Sequence, residues 1–181
     1  MDINPADETL IPFYDRLVEL GLPLLTHAGD ERSFGTNNDA LGDPLLLELP
    51  LQRGVTVIAA HIASMGTIQG KANFDRLLQL FDKYDNLYAD ISALTQINRL
   101  GYLQRALARE DIHARLVYGS DWPLQFFPLI SPWYHINHIG FGHAWRVSGL
   151  QNQWDRDVAL KSAFGVPAEV FSRTGQLLKI N

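Results

Sequence analysis

Val55-Thr56-Val57-Ile58-Ala59-Ala60-His61 is the stretch on which the fold turns. Its first six residues are β-branched or alanine and almost wholly apolar, which describes a strand buried on both faces. Such strands belong to parallel sheets, whose faces are covered by helices, so amphipathic helices should stand on either side of it. Upstream, Leu10, Phe13, Leu17 and Leu20 fall at helical spacing within residues 7–20, and Gly21 follows as a stop. Leu22-Pro23-Leu24-Leu25-Thr26 is too brief for a helix and reads as another strand. Asp43-Pro44 is an N-cap followed by proline at the first helical position, opening a leucine-rich helix that Pro50 shortens or kinks before Gly54.

Downstream the alternation continues. A helix is expected through Phe74, Leu77, Leu78 and Phe81, then a strand at Leu87-Tyr88-Ala89. A further helical pattern runs through Leu94, Ile97, Leu100, Leu103 and Leu107, and Arg115-Leu116-Val117-Tyr118-Gly119 is the fourth strand. A long aromatic loop follows, then a helix from near Asn152 to Gly165 and a last helical tail opened by Pro167. The chain is thus α/β, a single domain over residues 1–181. Its strand–helix units fit either an open doubly wound sheet or a run of units from a (β/α)8 barrel.

In both architectures functional residues collect at the carboxyl ends of the strands. Those positions hold His27, His61, Asp90 and Asp121. One histidine after a strand is ordinarily a satisfied polar residue. Several ligand-type residues at equivalent positions are a different matter, since imidazole nitrogen and carboxylate oxygen suit Zn²⁺, and also Mn²⁺ or Fe²⁺. Asp90 has a second reading, as a hydrogen-bond acceptor for Ser92 that caps the following helix.

Composition narrows the chemistry. With no cysteine among 181 residues, disulfides, thiolate nucleophiles and cysteine-ligated metals are excluded. The net charge of −5 with 15 dispersed basic residues makes nucleic acid a poor partner. No apolar run approaches the ~20 residues of a membrane helix. The acidic start Met1-Asp2-Ile3-Asn4-Pro5 lacks a signal-peptide pattern, so a cytoplasmic location is expected. Phosphate-loop, nucleophile-elbow and His-Glu-x-x-His motifs are absent.

Leu24-Leu25-Thr26-His27-Ala28-Gly29, Val57-Ile58-Ala59-Ala60-His61 and Leu116-Val117-Tyr118-Gly119-Ser120-Asp121-Trp122-Pro123 resemble the last strands of the amidohydrolase superfamily, in its amidohydrolase 2 branch. Gly-Ser-Asp-Trp-Pro is the most specific element. The resemblance also takes in Asn4 to Pro23, and Asn152, Gly165, Pro167 and Phe171 near the end. It implies that His27 is the metal-binding histidine of the fifth barrel strand. His61 is then the sixth-strand histidine, acting on substrate or binding a second ion. Asp121 becomes the eighth-strand aspartate, which touches the metal and takes a proton from its bound water.

The family's first-strand His-x-His pair is missing, because the six histidines stand at 27, 61, 113, 135, 138 and 143. Eight β/α units typically need about 250 residues. The resemblance therefore implies the last four strands of a barrel. Open strand edges are an association hazard, so a homo-oligomer is expected. His135 and His138 are spaced to share a helical face, although an exposed loop pair is the plainer account. The aromatics of residues 122–145 either wall a substrate pocket or cover a rim or subunit contact. Asp30, Glu31 and Arg32 either approach substrate or form a solvated loop.

The implied function is a metal-dependent hydrolase, zinc foremost, in which metal-bound hydroxide attacks a carbonyl of a small substrate. The alternatives are a non-oxidative decarboxylase of the same family, and a catalytically silent half-barrel that self-associates.

Overall fold

The computed structural model describes residues 3–30 and 39–178. The chain divides into two compact units, Met1–Asp90 with Leu177–Asn181, and Ile91–Gln176.

In the first unit the Asp7 carboxylate caps a 3-10 turn over Glu8–Leu10, and helix α1 (Ile11–Leu20) follows. Gly21 ends it in the left-handed conformation at φ 63°, as a glycine stop should. The buried side chain of α1 is Tyr14, whose hydroxyl donates to Pro5 O at 2.8 Å. Phe13 and Leu20, expected on the core side, are instead 51% and 50% exposed. Strand β1 (Leu24–His27) pairs in parallel with β2 (Val57–Ala60). Between them Asp43 accepts from Leu45 N, as its capping role requires, but opens a 3-10 turn over Pro44–Leu47 rather than an α-helix. Only Glu48–Gln52 is α-helical (α2), with Pro50 buried inside it.

Two short strands, β3 (Thr67–Ile68) and β4 (Lys71–Ala72), pair antiparallel and lead into α3 (Asn73–Phe81). Arg76 on α3 grips Asp43 with two hydrogen bonds, Nε to Oδ1 at 3.1 Å and a terminal nitrogen to Oδ2 at 2.6 Å. Strand β5 (Leu87–Asp90) pairs in parallel with β2. Val57, Ala59, Leu87 and Ala89 are sealed from solvent, as a strand covered on both faces demands.

The second unit departs further from the periodicity. Where Leu94 to Leu107 read as one helix, there is a 3-10 turn at Ile97–Arg99 and a short helix α4 (Tyr102–Leu107). Gly101 at φ 90° separates them, and Ile97 and Leu100 are exposed. The fourth strand, β6, shrinks to Leu116–Val117, whose Val117 O accepts from Ile91 N at 3.0 Å. The expected aromatic loop contains a helix, α5 (Ile136–Ser148), irregular at Gly140. Helix α6 (Gln153–Ala163) begins as expected, with Asn152 Oδ1 accepting from Trp154 N and Asp155 N. Helix α7 (Ala168–Leu178) follows. No helix of the described residues is long and apolar enough to cross a membrane.

Candidate active site

Register explains why the first unit gathers the candidate residues. His27 lies opposite Ala60, and Ala59 lies opposite Ala89. His27, Ala60 and Asp90 therefore form one row at the carboxyl ends of β1, β2 and β5, with His61 one step beyond. The two imidazoles meet edge to face, ring centroids 5.5 Å apart. Asp90 Oδ1 accepts the His61 backbone N–H at 2.9 Å and lies 3.9 Å from His61 Nδ1. No helix follows Asp90 directly for it to cap, since turns occupy residues 92–95. Its carboxylate fixes His61.

That fixing acts on an unusual backbone. His61, Ile62 and Ala63 all have positive φ, at 55°, 48° and 49°. For a β-branched residue such as Ile62 this region is a steric outlier that only a well-determined surrounding maintains. Strain of this kind clusters at functional sites. The β1 end is equally constrained: Gly29, at φ 94°, donates to Gly42 O at 2.7 Å. A Cβ on Gly29 would stand 2.7 Å from Met65 O, so only glycine fits. Asp30 is tied down rather than solvated, its N donating to Met65 O at 3.1 Å and its Oδ1 accepting from Asn73 Nδ2 at 3.4 Å. Glu31 and Arg32 lie outside the described residues.

Asp121 belongs to the second unit and also has a positive φ, 55°. Its Oδ2 accepts from Gln96 Nε2 at 3.2 Å, and its carbonyl accepts from Leu124 N at 2.9 Å. Gln96 was not foreseen; nothing local in the sequence marks it, since its partner is 25 residues away. Gln125 is another such residue, 2% exposed with neither side-chain polar atom hydrogen-bonded. His135 is buried, Nε2 donating to Thr95 O at 2.9 Å, while His138 is exposed and stacks on Phe164. Burial, more than the neighbouring His138, pushes the His135 pKa down. The two thus have structural partners in place of the loop setting expected for them.

Of the three donors implied for a divalent ion, His27 and His61 meet in the first unit, and Asp121 belongs to the second. Among the described residues no three histidine, aspartate or glutamate side chains group closely enough to hold a metal.

A parallel α/β sheet with histidines and carboxylates at the carboxyl ends of its strands has the layout of a partial TIM-like fold. The family model described as Amidohydrolase matches residues 2–132, and the chain belongs to that family. Among solved structures it is similar to the crystal structure of a provisionally named 2-pyrone-4,6-dicarboxylic acid hydrolase from Pseudomonas putida, at 19% identity and a TM-score of 0.56. The alignment covers 99% of this chain and 59% of that one, so this chain spans little more than half of its neighbour's length. No curated protein sequence matches the chain.

Proposed function

We propose that the chain carries part of the active site of a hydrolase acting on a carbonyl of a small substrate, with His61 as its central group. The observation that carries this is the strained His61 turn, locked by Asp90 and abutted by His27 at the strand ends. An imidazole N–H held in place can polarise a substrate carbonyl and steady the oxyanion that forms when water adds. Asp90, anchored by the His61 backbone, keeps that imidazole in one orientation. For an ester or lactone, water adds to the carbonyl carbon and gives a proton to a basic side chain, then the carbon–oxygen bond breaks and the departing oxygen takes that proton back. Family membership supports giving that proton to Asp121.

The name borne by the solved neighbour supplies a substrate to try: a cyclic ester with two carboxylates. Decarboxylation remains the competing reaction, favoured by the exposed rings of Trp122, Phe126, Phe127, Trp133, Phe141 and Trp145. Incubating the protein with 2-pyrone-4,6-dicarboxylate and weighing the product separates the two. Gain of one water is the expected result; loss of carbon dioxide supports the decarboxylase and overturns the hydrolase.

A further inference from the structure

Asp121 sits in a left-handed conformation that an aspartate tolerates but does not seek. Something must hold it, and the second unit supplies a holder on both sides. Helix α6 carries Trp154, Asp157 and Lys161, spaced three and four apart and therefore on one face. Trp154 stacks on Trp122, immediately after Asp121, with ring centroids 4.8 Å apart and planes within 18°. Asp157 Oδ2 accepts the Tyr118 hydroxyl at 2.9 Å, three residues before Asp121. Lys161 Nζ binds both oxygens of Asp157, at 2.6 and 2.5 Å, and lies 5.2 Å from the Tyr118 ring centroid.

The Asp157–Lys161 pair is almost completely sealed, 1% and 0% exposed. Buried ion pairs are weak stabilisers, and apolar residues of similar volume often serve as well or better. What the pair supplies is direction: a carboxylate fixed by two further donors can hold the Tyr118 phenol at one point. Burial first, and the Asp157 charge second, push the Tyr118 pKa up, so its proton stays on and the hydroxyl remains a donor. Thr95 Oγ1 also donates to Asp157, at 3.4 Å, and its neighbour Gln96 holds the Asp121 carboxylate directly.

We propose that Trp154, Asp157 and Lys161 form a clamp that fixes the turn bearing Asp121 through Trp122 and Tyr118, making them positioning residues for that carboxylate. The proposal rests on the assignment of Asp121 as the proton acceptor. Its test is hydrogen–deuterium exchange over residues 119–124 in the full chain, for wild type, Tyr118→Phe, Trp154→Ala and the double variant. Tyr118→Phe removes one hydroxyl and keeps the ring, so the fold survives. Exchange in 119–124 is expected to rise roughly tenfold in the double variant while helix α3 exchanges as in wild type. Unchanged exchange in 119–124, or a rise shared equally with α3, overturns the clamp.

Turnover of 2-pyrone-4,6-dicarboxylate tests the consequence. Both single variants are expected to lose kcat about tenfold or more with KM near the wild-type value, as a misplaced group does. If Asp121→Asn leaves turnover intact, the role of Asp121 fails while the exchange result still decides the clamp.

Discussion

Asp90 shows how one carboxylate serves two ends. It accepts the His61 N–H and faces the His61 ring, both from a position 7% exposed. Replacing it with alanine leaves a buried donor unsatisfied, which costs about 1–3 kcal/mol. Urea unfolding of Asp90→Ala should show that loss, and Asp90→Asn, whose amide oxygen still accepts, should show less of it. His135 sets a pH dependence. Its folded pKa lies below the ordinary value of 6.5, so between the two the unfolded chain binds more protons. Stability is therefore full above pH 6.5 and declines as pH falls through the window beneath it; His135→Gln should flatten the slope of urea midpoint against pH. The strand-end residues were legible because an apolar strand pattern fixes where the strand stops. Their partners were not: His61 and Asp90 are 29 residues apart, Asp121 and Gln96 are 25, and only the folded chain brings them together.

Elements follow the same division. Helix α6 was readable because Asn152 caps it and Gly165, at φ 87°, follows it. Asn152→Ala removes an acceptor for two orphan N–H groups and should cost ~1 kcal/mol by thermal or urea unfolding, with no loss expected if the cap were ornamental. The β3–β4 ribbon escaped notice because two-residue strands are too short to alternate. Its turn was nonetheless written in Gln69-Gly70, both at positive φ, as a tight hairpin requires. The leucine pattern from Leu94 to Leu107 misled in the opposite direction. Periodicity persists there, but Gly101 adopts a conformation no helix continues through. Helix α5 hid among aromatic residues because Phe141 and Trp145, stacked on each other and exposed, put apolar rings on the solvent side and blur the amphipathic stripe.

At the scale of the molecule, the four strands read from the sequence are present, and three of them pair in parallel within the first unit. Membership of the amidohydrolase family and the likeness to a longer hydrolase agree with the partial-barrel expectation. No closed barrel is formed by the described residues. Strand β1 lies at the end of the strand order with Leu25 65% exposed, a ready template for pairing with a second chain. Sedimentation should show concentration-dependent self-association that Leu25→Lys weakens; a wild-type chain that stays monomeric at every concentration would contradict it. His61 is the residue on which the proposed hydrolysis depends most. Kinetics of 2-pyrone-4,6-dicarboxylate hydrolysis by wild type and His61→Asn, each shown to be folded by circular dichroism, tests it most directly. Wild type is expected to turn the compound over, and the variant to lose roughly 100-fold or more in kcat, the scale of a removed oxyanion donor. Equal turnover by the two proteins would contradict it.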